Sequence, residues 1–321
     1  MKNNSVTWIA EFEMDLSFNS NKKGDNLNII TLKKYAPPAD NEVTDNGNWM
    51  SHWLYSHIMN GEVLAYKTAN LETPYTVDEL TGNFVSVDTL ITFDPKTFKE
   101  TMVIVSNDIG PDDFESFRTV QLIYFDKSKN SFFTKLVAIS PLLQITDENG
   151  LPIKKVPFAW VKMEDVYGQK INEKNGAIAW GATIETKATP LDFSQLKVLK
   201  GGLDLRQHIY PDALNGTKKV ESTGQGFGKG SLLAKRDIEP MYNSIDTIIT
   251  FDPQTYEETV EVNFNDFDPA GINTARLVQD WYYLPEKRLI INRLRAIAPL
   301  ANVKDGNGNF MYSKPLYYIH Y

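Results

Sequence analysis

The sequence predicts an α+β protein of two tandem homologous domains, each a short helix packed on a mostly antiparallel β-meander. Three observations lead there. Residues Asp88–Met163 and Asp246–Tyr321 align without a gap at a constant offset of 158, with roughly a third of the positions identical. Asp88-Thr-Leu-Ile-Thr-Phe-Asp-Pro-Lys-Thr-Phe98 is answered by Asp246-Thr-Ile-Ile-Thr-Phe-Asp-Pro-Gln-Thr-Tyr256. Within each copy, β-branched and aromatic runs alternate with turn residues, and one stretch before the block carries helical spacing. Solenoid repeats have periods of about 20–50 residues, whereas a unit of roughly 160 residues is large enough to bury its own core. The division is therefore 1–163 and 164–321.

The elements follow in order. Met50, Trp53, Leu54, His57 and Ile58 share a helical face, with Asn48 placed to cap it and Asn60-Gly61 to end it. The second copy offers Leu205, Ile209, Ala213 and Leu214 before Asn215-Gly216, with Pro211 expected to kink the helix or delay its start. These ends correspond at an offset of 155, which implies a small indel before the gapless block. Thr89–Phe93 reads as a strand, Asp94-Pro-Lys-Thr97 as a turn, and Thr101–Val105 as the return. Arg118–Phe125 and Ser131–Ile139 form the next pair, matched by Leu277–Tyr283 and Leu289–Ile297. Pro141 and Pro299 are expected to stop those strands, because proline cannot donate to a ladder. Asp147-Glu-Asn-Gly150 and Asp305-Gly-Asn-Gly308 read as hairpin turns before closing strands at Phe158–Lys162 and Leu316–His320. Val6–Trp8 and Ala177–Trp180 are candidate equivalent entry strands. The recurring aromatics Tyr124/Tyr282, Trp160/Tyr318 and Phe93/Phe251 read as core packing.

Composition excludes several functions. The net charge of −8 argues against nucleic acid, which needs clustered cations. The absence of cysteine removes disulfides, zinc thiolates and thiol nucleophiles. No run approaches the ~18 apolar residues of a membrane span, and Met1–Trp8 lacks the hydrophobic region of a signal peptide.

The search for chemistry returns structural readings. Gly224-Gln-Gly226-Phe-Gly228-Lys229-Gly230-Ser231 fails both the P-loop and the G-x-G-x-x-G patterns and reads as a mobile surface loop inserted in the second unit. Asp305-Gly-Asn307-Gly-Asn309 opens like a calcium loop, but Phe310 stands where that loop needs Gly and Leu316 where it needs Glu. None of His52, His57, His208 and His320 forms H-x-x-x-H, and no serine sits in G-x-S-x-G. The residues point to no catalytic, cofactor-binding or metal-binding constellation, hence to a protein that is not an enzyme.

Certain segments carry a family resemblance. Gln279-Asp-Trp-Tyr-Tyr283, Arg295-Ala-Ile-Ala-Pro299, Asp305-Gly-Asn-Gly308 and Pro315-Leu-Tyr-Tyr-Ile319 come in that order. Trp53-Leu-Tyr-Ser-His-Ile-Met-Asn-Gly-Glu-Val-Leu-Ala-Tyr66 and Asp252-Pro-Gln-Thr-Tyr-Glu257 join them. Together they resemble the signature of the GldN/PorN gliding-motility proteins, here as a divergent, internally duplicated relative. The first copy departs from it with Leu122-Ile-Tyr124 in place of the Asp-Trp pair. The resemblance implies a non-enzymatic scaffold in the periplasmic ring of the type IX secretion and gliding machinery. It further implies no cofactor, an outer-membrane lipoprotein partner, possible homo-oligomers, and a periplasmic location. The family-motif positions, structural or interfacial, are Asp252, Pro253, Asp280, Trp281, Tyr282, Pro299, Asp305, Pro315 and Tyr318. Two other classes remain: a periplasmic or surface module binding glycan or peptide, marked by an aromatic platform exposed in both domains, and an enzyme with convergent carboxylates in a deep cleft.

Overall fold

The computed structural model describes residues 5–18, 28–33, 49–93, 100–146, 151–163, 178–251, 253–266, 271–305 and 308–321. The first half runs β1 (Val6–Leu16), β2 (Asn28–Leu32), α1 (Trp49–Met59), β3 (Ala65–Tyr66), α2 (Val77–Phe84), β4 (Val85–Phe93), β5 (Glu100–Asp108), β6 (Phe114–Asp126), β7 (Ser131–Thr146), β8 (Pro152–Pro157) and β9 (Trp160–Lys162). The second runs β10 (Trp180–Thr186), β11 (Leu191–Asp192), β12 (Lys197–Lys200), α3 (Leu205–Leu214), β13 (Val220–Ser222), α4 (Lys235–Ile238), β14 (Asn243–Phe251), β15 (Glu258–Asp266), β16 (Thr274–Leu284), β17 (Leu289–Lys304), β18 (Phe310–Pro315) and β19 (Tyr317–His320). Antiparallel strands dominate and helices are few, so the chain is α+β with a strong β bias.

The two halves keep a common register. Val85 pairs with Asp108 and Asn243 with Asp266, both pairs related by 158 residues. A bulge falls between Val120 and Gln121 and again between Val278 and Gln279. Trp8 lies across from Phe125 and Trp180 across from Tyr283, so the entry strands β1 and β10 are equivalent, as their tryptophans suggest. The indel is also located. Tyr66 bridges Pro74, and Glu221 bridges Leu232; the intervening loop is three residues longer in the second half, which turns the offset of 155 into 158.

Strands cross between the halves. One sheet has the order β12-β1-β6-β7-β9-β3, with β8 on β7; the other has β13-β19-β17-β16-β10-β2, with β18 on β17 and β11 on β16. β12 therefore closes an edge of the first-half sheet, where Val198 faces Ala10. β2 closes the matching edge of the second-half sheet, where Leu32 faces Ala182. The helices cross too: Trp49 and Trp53 of α1 pack on Tyr283, while His208 of α3 packs on Phe125, the equivalent ring. The main apolar cluster accordingly takes Trp8, Phe132 and Ile139 from one half and Trp281, Ile290 and Ile297 from the other. A single core spans both halves instead of one closing within each.

Several local expectations meet a different outcome. β7 and β17 run through Pro141 and Pro299 instead of stopping. At these positions the neighbouring strand changes, from β9 to β8 and from β19 to β18. A missing N–H costs little there, and both proline carbonyls still accept, from Phe158 and Leu316. α3 starts at its Asp204 cap and continues through Pro211, because burial of Leu205, Ile209 and Ala213 outweighs one lost backbone bond. α1 and α3 both end before left-handed glycines, Gly61 and Gly216. Asn48, the 94–97 turn, the 147–150 turn and Asp252 lie outside the described residues.

Candidate functional site: a buried polar face on the second sheet

Strand alternation divides the motif residues of β16 between two faces. Trp281 turns inward and meets Phe18 edge-on at 5.3 Å. Asp280 and Tyr282 turn to the opposite face, which is polar yet almost fully buried. Asp280 accepts from Lys33 (2.7 Å), Thr183 (2.7 Å), Arg295 (2.9 Å) and the Tyr282 hydroxyl (3.1 Å). Burial opposes its ionisation, but the hydrogen bonds from Lys33 and Thr183 and the charges of Lys33 and Arg295 prevail, holding its carboxyl below the usual range.

A second cluster lies on the same face. Tyr318 donates to both oxygens of Glu185 (3.0 and 2.9 Å), and Arg276 reaches Glu185 at 3.1 Å. Burial, and then the neighbouring carboxylate, push the Tyr318 hydroxyl well above its ordinary pKa. Further out, Glu221 takes the Gly230 amide (2.9 Å), Lys219 (3.3 Å) and His320 (3.0 Å). Burial opposes charge on Glu221 too, and those donors outweigh it. Burial and the charge of Lys219 press the His320 pKa down in spite of Glu221.

The Gly-rich segment is the cover of this face, not a loose loop. Phe227 stacks on His320 (5.0 Å, 29°) and meets Tyr318 edge-on (5.5 Å). Gly230 passes so close to β13 that a Cβ there would lie 2.0 Å from the Ser222 carbonyl oxygen.

The remaining motif residues are dispersed. Pro299 and Pro315 sit at the strand changeover, with Pro315 accepting from Thr223 (3.2 Å). Asp305 folds its turn through the Asn309 amide (2.7 Å) and side chain (2.9 Å), a hairpin role as expected. Pro253 is exposed. Tyr124, Tyr282, Trp160 and Tyr318 are buried, but Phe251 is 65 % exposed, against the core reading of that position.

Chemically, these carboxylates are neutralised by fixed donors, and that suits holding strands together. A cavity of 340 Å³ lies elsewhere, along Trp8, Leu196, Val198, Leu203, Asp204 and Arg206. Its two charges are paired with each other at 2.6 Å, and none of the motif residues lines it. Among the described residues no group of three or more His, Asp or Glu could hold a metal ion.

Residues 28–178 match the family model described as Gliding motility associated protein GldN. The match supports a divergent relation to the GldN family. The matched span covers the Trp53–Tyr66 segment and Asp94-Pro95, whereas the buried polar face of this GldN relative draws chiefly on residues beyond it. No curated protein matches the chain. The relationship points to gliding motility.

The sequence alone did not single out Lys33, Glu185, Glu221 or Gln121. The available signal was Gln121/Gln279, an identical polar residue inside a strand of both copies.

Proposed function

We propose that this protein is a non-enzymatic structural component of the type IX secretion and gliding machinery, acting in the periplasm through protein contacts that include an outer-membrane lipoprotein. The GldN match over residues 28–178 carries the reading. The neutralised carboxylates of the polar face support it, since they favour rigidity over turnover. We further propose that units 1–163 and 164–321 are tandem copies, and that their crossed strands make the chain a covalent counterpart of two neighbouring subunits. Each half lends an edge strand to the other, a reciprocal contact, so closure of an assembly into a ring would use further, head-to-tail surfaces.

The glycan- or peptide-binding alternative gains little. Phe310 and Tyr312 are exposed, but Pro152 and Lys154 occupy the equivalent positions.

Purification of the tagged chain from its native envelope, with mass spectrometry and negative-stain imaging, tests the proposal. Co-purification of an outer-membrane lipoprotein with curved or ring-like particles is the expected result. A lone monomer without an envelope partner would remove the scaffold reading.

A further inference from the structure

β14 and β15 form a two-stranded ribbon that joins neither sheet. Thr247 pairs with Val262, Ile249 with Val260 and Phe251 with Glu258, so these six residues share one face. On that face Ile249, Phe251, Val260 and Val262 are 49–65 % exposed, a contiguous apolar strip. Both outer edges of the ribbon lack a strand partner among the described residues. Proteins usually blunt such edges with lysine, proline or a covering element, and an apolar edge left open marks a docking site.

Charge specifies the occupant. Residues 243–266 contain Asp246, Asp252, Glu257, Glu258, Glu261 and Asp266 and no cation, a net −6. The equivalent residues 85–108 contain four acids and the two lysines Lys96 and Lys99, a net −2. At the ribbon's turn Lys96 is replaced by Gln254 and Lys99 by Glu257. A second copy pairing through this ribbon would bring −6 against −6. A cationic partner is attracted instead.

We infer that the β14–β15 ribbon is a docking arm for an extended segment of a partner protein in which apolar residues alternate with Lys or Arg. The segment adds along the ribbon's edge, continues the apolar face with its own side chains, and neutralises the exposed Glu257 and Glu258. This gives the scaffold reading a contact surface, and rests on that reading for the partner being a protein.

The test uses the full chain and a fluorescent synthetic peptide of alternating valine and lysine, beside a twin with glutamate for lysine. Anisotropy is expected to show binding of the cationic peptide, weakening as salt rises, and none of the twin. The double variants Ile249→Thr/Phe251→Ser and Glu257→Lys/Glu258→Lys should each weaken binding at least tenfold with unchanged unfolding curves. If the apolar variant does not fold, the charge variant and amide-exchange protection of 243–266 by the peptide decide the matter. Equal binding of both peptides, binding indifferent to the ribbon variants, or no binding would overturn the inference. So would self-association of the chain that these variants abolish. Failure of the peptide with envelope co-purification intact removes the docking arm alone; loss of co-purification with peptide binding intact removes the scaffold reading alone.

Discussion

Gln279 donates its side-chain amide to the side-chain oxygen of Gln121 at 2.8 Å, and the two residues are 158 positions apart. Each is thus bonded to its own equivalent. The same Gln279 amide reaches Thr134 (3.0 Å), and Asn292, equivalent to Thr134, donates to Gln121 (2.6 Å). These bonds form a buried polar knot where the two sheets meet. Polar groups in a shared apolar core fix register, because a slip leaves them unsatisfied.

Replacing Gln121 by Leu should therefore cost about 1–3 kcal/mol, since the buried Asn292 amide loses its acceptor and the Gln279 amide keeps only Thr134. Gln279→Leu should fall in the same range. The double variant should cost clearly less than the sum of the two, with about 0.5–3 kcal/mol of coupling. Denaturant unfolding of the four proteins measures this, and strict additivity would show that the contact carries no energy.

Asp280 gives the chain an acid limit. Its folded pKa lies below the unfolded value of about 3.9, so its contribution is fully present above the unfolded pKa. It disappears as the pH falls through the folded pKa. Asp280→Asn should lose about 1–3 kcal/mol at pH 7, because the buried carboxylate's charge-assisted bonds are lost while Lys33 and Arg295, both partly exposed, can turn to solvent. It should also flatten the decline of stability below about pH 4. Unfolding midpoints between pH 7 and pH 3 report both effects, and parallel profiles for the two proteins would refute the assignment.

The cover over the polar face should depend on one glycine. Gly230→Ala places a Cβ against backbone and against the Glu221 and Ser222 side chains, so the segment has to move and loses its bond to Glu221. A loss of about 1–3 kcal/mol is expected, with faster proteolysis between residues 223 and 231 as Phe227 leaves His320. Gly224→Ala meets nothing within 4 Å and should stay within about 0.5 kcal/mol. Thermal unfolding and limited trypsin digestion compare the pair; equal behaviour would mean that the cover is not held at Gly230.

The gapless offset makes β4 to β7, β9, β14 to β17 and β19 legible, because turn residues and alternation are local signals; β8 and β18 are not, because Pro141 and Pro299 read as strand ends. The correspondence of Trp8 with Trp180 was faint but readable for the same reason. The strand exchange was not readable. β2 and β12 are only five and four residues long, and their partners are chosen by the shared core, not by their own composition. The polar face was hidden because its pairs are distant: Lys33 meets Asp280 across 247 positions. Phe251 misled because its identity with Phe93 resembled core packing, while the ribbon that carries it stands apart from both sheets.

The crossing of β2 and β12 leads to the prediction that most directly probes the architecture. If each sheet borrows an edge strand from the other half, cutting the chain between the halves should not separate them. A specific protease site inserted in the full chain after Met163 should be cleavable without change in elution volume. The two fragments should travel as a one-to-one complex and part only in denaturant. Disrupting one borrowed strand should change that: Lys33 donates its amide to Gly181, so the alternate residue Thr31 also faces β10 with its N–H, and Thr31→Pro removes that donor in the middle of β2 opposite Thr183. Its cleaved halves should dissociate at lower denaturant than the cleaved parent, by about 2–4 kcal/mol of lost pairing and edge burial. Halves that drift apart on native cleavage would mean that each unit closes its own core after all.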